Sequence, residues 1–144
     1  MQILYAPNRK KKKGNKKMTV DTVTLQYPTS DVTESVQVLA DPTVHTIVSG
    51  APINIENAFN CKDNTLTIVF TNSGETDGTA IIKKGVYQNA VLGDLNVTLA
   101  GGKTTVVKIE NPSRFEKADG SLDVEFSTGF GGTVYAFGKK AGLG

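Results

Sequence analysis

The chain has 144 residues, 38% of them apolar, which supplies one hydrophobic core and leaves no room for a second domain of ordinary size. With one Cys an internal disulfide is excluded, and with no Trp, one His and two Met there is little material for a metal centre or nucleophilic catalysis. Net charge is only +2, yet seven of the sixteen basic residues and none of the fourteen acids fall in residues 1–17, so that segment carries +7 and the remainder −5.

In chain order, residues 1–19 read as a basic N-terminal arm. It holds an apolar triplet, Ile3, Leu4 and Tyr5, followed by Arg9, Lys10, Lys11, Lys12, Lys13, Lys16 and Lys17. Such a block is expected to remain solvated unless a partner neutralises it, and the seven cations and the triplet are the candidate partner-binding residues. Phosphates of nucleic acid or an acidic protein surface would both suit the charge. A competing reading takes Lys-Lys-Lys-Gly-Asn-Lys-Lys-Met as a purine-rich ribosome-binding site translated in frame, with Met18 as the first residue. No apolar run is long enough to span a membrane, and no signal peptide is evident.

Residues 20–138 read as an all-β domain. Val23, Leu25 and Tyr27 alternate with Thr and Gln, Val36 and Val38 flank Gln37, residues 44–49 read as a further strand, and Ile53 and Ile55 flank Asn54. Pro28, Pro42 and Pro52 fall where ladder donors are not needed. The pattern is strongest from 66 onward. Leu66, Ile68 and Phe70, then Leu95, Val97 and Leu99, then Leu122, Val124 and Phe126 alternate with polar residues between tight Gly, Asp and Asn turns, and residues 79–84 and 133–137 read as further strands. About nine one-sided strands in so short a body predict a single antiparallel β-sandwich, immunoglobulin-like or jelly-roll. Asp119-Gly120 predicts a hairpin joining residues 114–117 to the strand at 122–126, with Phe115 in the core and Arg114 paired to a carboxylate or reaching solvent. Residues 139–144 read as a flexible C-terminal tail.

The residues that could carry chemistry are few. Gly129, Gly131 and Gly132 lack the Lys-Ser/Thr pair and following helix of a phosphate loop, and so predict a turn. His45 has no second histidine for a zinc site and reads as an outward strand residue. The acidic turns at 75–77 and 119–123 lack the spacing of a calcium loop, and Cys61 reads as a buried filler. Asn96-Val97-Thr98 matches a glycosylation sequon, which carries weight only in a secreted eukaryotic chain. No catalytic, cofactor-binding or metal-binding residue is assigned, and no enzyme activity is expected.

The order of turn residues is more informative. A strand ending at Asn72, then Ile81 to Gly85, Gly93-Asp94-Leu95, Gly101-Gly102, Ser113-Arg114-Phe115, Asp119-Gly120-Ser121, Val124 and Phe126, and Gly132-Thr133-Val134 together resemble small structural proteins of tailed bacteriophages, of the head decoration or minor virion type. The resemblance covers about residues 65–137. It departs after Gly85, where that family carries a proline-rich turn and this chain has Val86-Tyr87-Gln88-Asn89. The resemblance implies a virion protein that binds and stabilises the assembled head shell. Its partner would be the major capsid protein, its own assembly a homo-oligomer, with a trimer one form. Its location would be the capsid surface, and the bacterial host cytoplasm during assembly. A tail, neck or fibre-associated adhesion module is the alternative within virions. A nucleic-acid-binding protein acting through the basic arm is the alternative of another class.

Overall fold

The computed structural model describes residues 19–30, 36–61 and 65–140; the arm residues Ile3 to Lys17, Met18 and the tail from 141 onward lie outside the described residues. Eleven strands are present among the described residues: β1 Asp21–Thr24, β2 Thr29–Ser30, β3 Gln37–Val38, β4 His45–Ile47, β5 Ile53–Glu56, β6 Thr67–Asn72, β7 Gly78–Ile82, β8 Leu95–Leu99, β9 Thr104–Lys108, β10 Leu122–Phe126 and β11 Gly132–Phe137. They form a five-stranded sheet in the order β1-β5-β10-β7-β8, a four-stranded sheet β4-β11-β6-β9, and a small β2-β3 ribbon. The chain is therefore all-β.

Period-two alternation makes these strands because each has one face to bury. In β10, Leu122, Val124 and Phe126 are buried while Glu125 is exposed, and in β11 Gly132, Val134 and Ala136 alternate with half-buried neighbours. The inward faces of both large sheets meet in one cluster that includes Ile53, Ile55, Ile82 and Val124 from the first and Ile47, Ile68, Phe70 and Val134 from the second. Phe126 lies edge-on to Phe70 at 6.0 Å and stacks on Phe130 at 5.2 Å, an aromatic group that closes one end of the core. Buried Asn72 is fully used: its Nδ2 donates to the carbonyls of Thr76 and Leu99, and its Oδ1 accepts from the Gly74 N–H.

Four expectations need correction. The fold is not wholly antiparallel, because β1 runs parallel to β5 with Asp21 opposite Ile53 and Thr24 opposite Glu56. Past β1 the chain crosses to the other sheet, where Gln26 bridges to Phe137. The residues before Asp119-Gly120 are not a strand: Pro112–Phe115 forms a single α-helical turn, α1, with Pro at its start, where a missing N–H costs nothing. Gly120 does take the left-handed conformation of a turn, at φ 81°, but β10 pairs with β5 and β7 instead of with the preceding segment. Val36 and Val38 alternate without being buried: they are 53% and 54% exposed, Val38 in the small β2-β3 ribbon and Val36 just before it. His45 shares the inward face of β4 with buried Ile47, and its Nε2 sits 3.4 Å from the Asp21 carboxylate across the gap between β4 and β1.

Other expectations hold. Phe115 is buried, Cys61 is buried with its Sγ 3.2 Å from the Ala58 carbonyl, and the 129–132 stretch is a turn with Gly129 at φ 79° leading into β11. Lys139 and Lys140, assigned above to the tail, are tied down, the first through its N–H to Thr65 Oγ1 and the second by a bridge to Cys61.

Candidate docking surface

Between β7 and β8 the chain leaves the sheet for residues 83–94, a segment built around the 3-10 turn Gln88–Leu92. None of that turn's residues is buried, although two of its five are large and apolar. Val86 is 63% exposed, Tyr87 45%, Val91 86%, Leu92 58% and the neighbouring Leu95 36%. Single exposed valines are ordinary on a protein surface, but five large apolar side chains exposed within ten residues are a local concentration of apolar surface that water disfavours.

The backbone beneath that patch is anchored at both ends. At its start, the Gly85 N–H donates to the Arg114 carbonyl at 2.8 Å and the Val86 N–H to the Glu116 carbonyl at 3.0 Å. Gly85 must be glycine, since a Cβ there would overlap the Glu116 carbonyl. In the middle, Asn89 Nδ2 donates to Asn111 Oδ1 at 3.0 Å. At its end, the Arg114 guanidinium donates from Nε to the Gly93 carbonyl at 2.9 Å, and from Nη2 to the carbonyls of Asp94 at 3.1 Å and Leu92 at 3.4 Å. Arg114 thus pairs with three carbonyls and no carboxylate, and its guanidinium carbon lies 5.0 Å from the Phe115 ring centroid. The helical turn α1 is what aims it: Phe115 is buried in the core, and the residue before it faces the loop.

Asp94 completes the anchorage. Its Oδ2 accepts from Lys83 Nζ at 2.8 Å and its Oδ1 from the Lys84 N–H at 2.8 Å. The Lys83 ammonium and then the Lys84 N–H hold the carboxyl below the usual carboxylate range, and the same contact with Asp94 raises Lys83 above its ordinary value. The Lys83 ammonium also lies 3.6 Å from Glu125. The result is a fixed loop presenting apolar side chains to water, an arrangement that lowers the ordering cost of binding another protein.

Other surface features offer less. A depression of ≈ 460 Å³ on the outer face of the five-stranded sheet is lined by Asn54, Lys117 and Asp123 among others. Its polar groups spend their hydrogen bonds on one another: Asn54 Nδ2 donates to Asp123 Oδ1 at 2.7 Å, and Lys117 Nζ lies 2.9 Å from Asp123 Oδ2. In the two acidic turns, Asp77 Oδ1 accepts from the Gly101 N–H and Asp119 Oδ1 from the Ser121 N–H and hydroxyl. Among the described residues there is no group of three or more His, Cys, Asp or Glu placed to hold a metal ion, and no helix long and apolar enough to cross a membrane.

The apolar loop was not singled out by the sequence, although Val86-Tyr87-Gln88-Asn89 was noted as the point of departure from the phage pattern. Its signal was an apolar run lacking both the period of a strand and that of a helix. The arm residues proposed for partner binding lie outside the described residues. Compared with family models, curated proteins and solved structures, the chain gives no match.

Proposed function

We propose that this chain is a non-enzymatic phage virion protein that docks in many copies on the assembled head shell, with the major capsid protein as its partner and the capsid surface as its location. The observation carrying this reading is the anchored loop at 85–94, whose apolar side chains face water on a backbone already fixed for contact. The body is read as one β-sandwich of immunoglobulin-like or jelly-roll type, from two sheets sharing a single core. A rigid body with a small apolar patch gains little from one contact, but repetition over a lattice multiplies that gain and confines it to the assembled state. The order of turn residues from 65 to 137 supports the phage assignment. The arm, at +7 against a body at −5, adds reach and charge toward an acidic partner surface.

Co-sedimentation with undecorated capsids tests this reading. Wild-type protein is expected to pellet with capsids, and the double variant Val91→Asp/Leu92→Asp to remain in solution with an unchanged far-UV spectrum, since both positions are exposed. A chain starting at Met18 is expected to bind more weakly at low salt and to approach wild type as salt rises. Equal pelleting of wild type and the double variant would refute the loop as the contact. Retention on DNA in place of capsids would favour the nucleic-acid alternative, and binding confined to tails would favour the adhesion module.

A further inference from the structure

The two sides of the paired sheets differ in how their edges are finished. On the β1/β4 side, Gln26 clamps the Thr43 backbone in both directions, its Nε2 donating to the carbonyl at 2.8 Å and its Oε1 accepting the N–H at 2.9 Å. Asp21 and His45 face each other across the same gap, and Val23 and Leu25 beneath are 5% and 4% exposed. On the other side, β8 and β9 are the edges of their sheets, joined by the Gly101-Gly102 turn, and among the described residues no strand lies beyond either. The core margin there is half covered: Val97 of β8 and Val107 of β9 pack against the core without being buried.

Free edges are normally protected by a charge, a proline, a bulge or a cover, because their unpaired N–H and C=O groups recruit other strands. β8 has none of the first two, for its five residues are Leu95-Asn96-Val97-Thr98-Leu99, and its register with β7 runs without interruption from Gly78–Leu99 to Ile82–Leu95. That sequence reads alike in both directions: apolar, polar, Val, polar, apolar. Set antiparallel to a copy of itself about Val97, it places Leu95 opposite Leu99, Val97 opposite Val97, and Asn96 opposite Thr98, where amide and hydroxyl can hydrogen-bond. No like charges meet. A self-complementary strand is what an isologous two-fold contact requires.

We infer that β8 is a strand-pairing site for a second copy of this chain, joining two five-stranded sheets into one continuous sheet of ten across a two-fold axis at Val97. The contact covers the half-open core margin at Val97. It stands independently of docking on a shell, and the apolar loop is not required for it.

Sedimentation velocity of the full chain over a concentration series provides the test, with two variants at the exposed outward positions of β8. Asn96→Lys/Thr98→Lys puts lysine opposite lysine twice across the two-fold and is expected to weaken the dimer about tenfold or more. Asn96→Lys/Thr98→Glu puts opposite charges face to face in the same register and is expected to restore the dimer. Far-UV spectra of both variants should match wild type. A wild type that stays monomeric throughout, a Lys/Lys variant as dimeric as wild type, or a Lys/Glu variant as weak as Lys/Lys would each overturn the inference.

Discussion

Replacing Arg114 by alanine should loosen the loop at 85–94 while leaving the core intact. The side chain donates two well-formed hydrogen bonds, at 2.9 Å to Gly93 and 3.1 Å to Asp94, and a longer one at 3.4 Å to Leu92. Bonds from a charged donor are worth more than neutral ones, but this guanidinium is half exposed and water competes for the same carbonyls, so about 1 kcal/mol for each of the two good bonds is the fair figure. The stack on Phe115 at 5.0 Å adds about 0.5 kcal/mol at such an exposed site. A local loss of about 2 to 2.5 kcal/mol raises the open population of the loop by roughly 30-fold or more. Amide hydrogen exchange reads this directly at Ala90 and Gly93, whose N–H groups bond to the carbonyls of Tyr87 and Ala90 inside the loop. Protection at those two amides should fall by that factor, while amides of the central strand β10 keep theirs. Arg114→Lys retains the charge without the fork and should recover less than half of the loss. Unchanged exchange at Ala90 and Gly93 in Arg114→Ala would refute the view that this side chain fixes the loop.

Two further outcomes follow from the same anchorage. Because the Asp94 carboxyl is held below its ordinary range, chiefly by Lys83, its contribution is present above that range and lost as pH falls through the folded-state value. Loop protection should therefore drop below about pH 4, and Asp94→Asn should show the weakened loop at neutral pH with a flatter acid limb. Gly85→Ala forces a Cβ into the Glu116 carbonyl and should cost about 3 kcal/mol or more, visible as a lower urea midpoint with little change in slope.

Strands with one face on the core were legible because burial imposes period two: β6, β8, β10 and β11 all announce themselves that way. β9 does not, since Thr104-Thr105-Val106-Val107-Lys108 has no strict alternation, and its exposed and half-buried positions leave Val106 63% exposed. Its signal was a β-branched run after Gly101-Gly102, a propensity cue instead of a periodic one. The helical turn starts at Asn111-Pro112, a cue that the hairpin reading of Asp119-Gly120 leaves out; in the structure the Gly120 turn forms and the strand before it does not. The parallel pairing of β1 with β5 was hidden because register between strands some thirty residues apart is a property of the whole core. Arg114 shows the same limit at the site, because its partners are backbone carbonyls twenty or more residues earlier, which no side-chain pattern records.

Peptide mass spectrometry of gradient-purified virions tests the proposed function most directly. Expected is a chain present in many copies per particle, co-banding with the major capsid protein and lost from heads when the Val91→Asp/Leu92→Asp variant replaces it. A chain abundant in the infected lysate yet missing from purified particles would contradict a virion role.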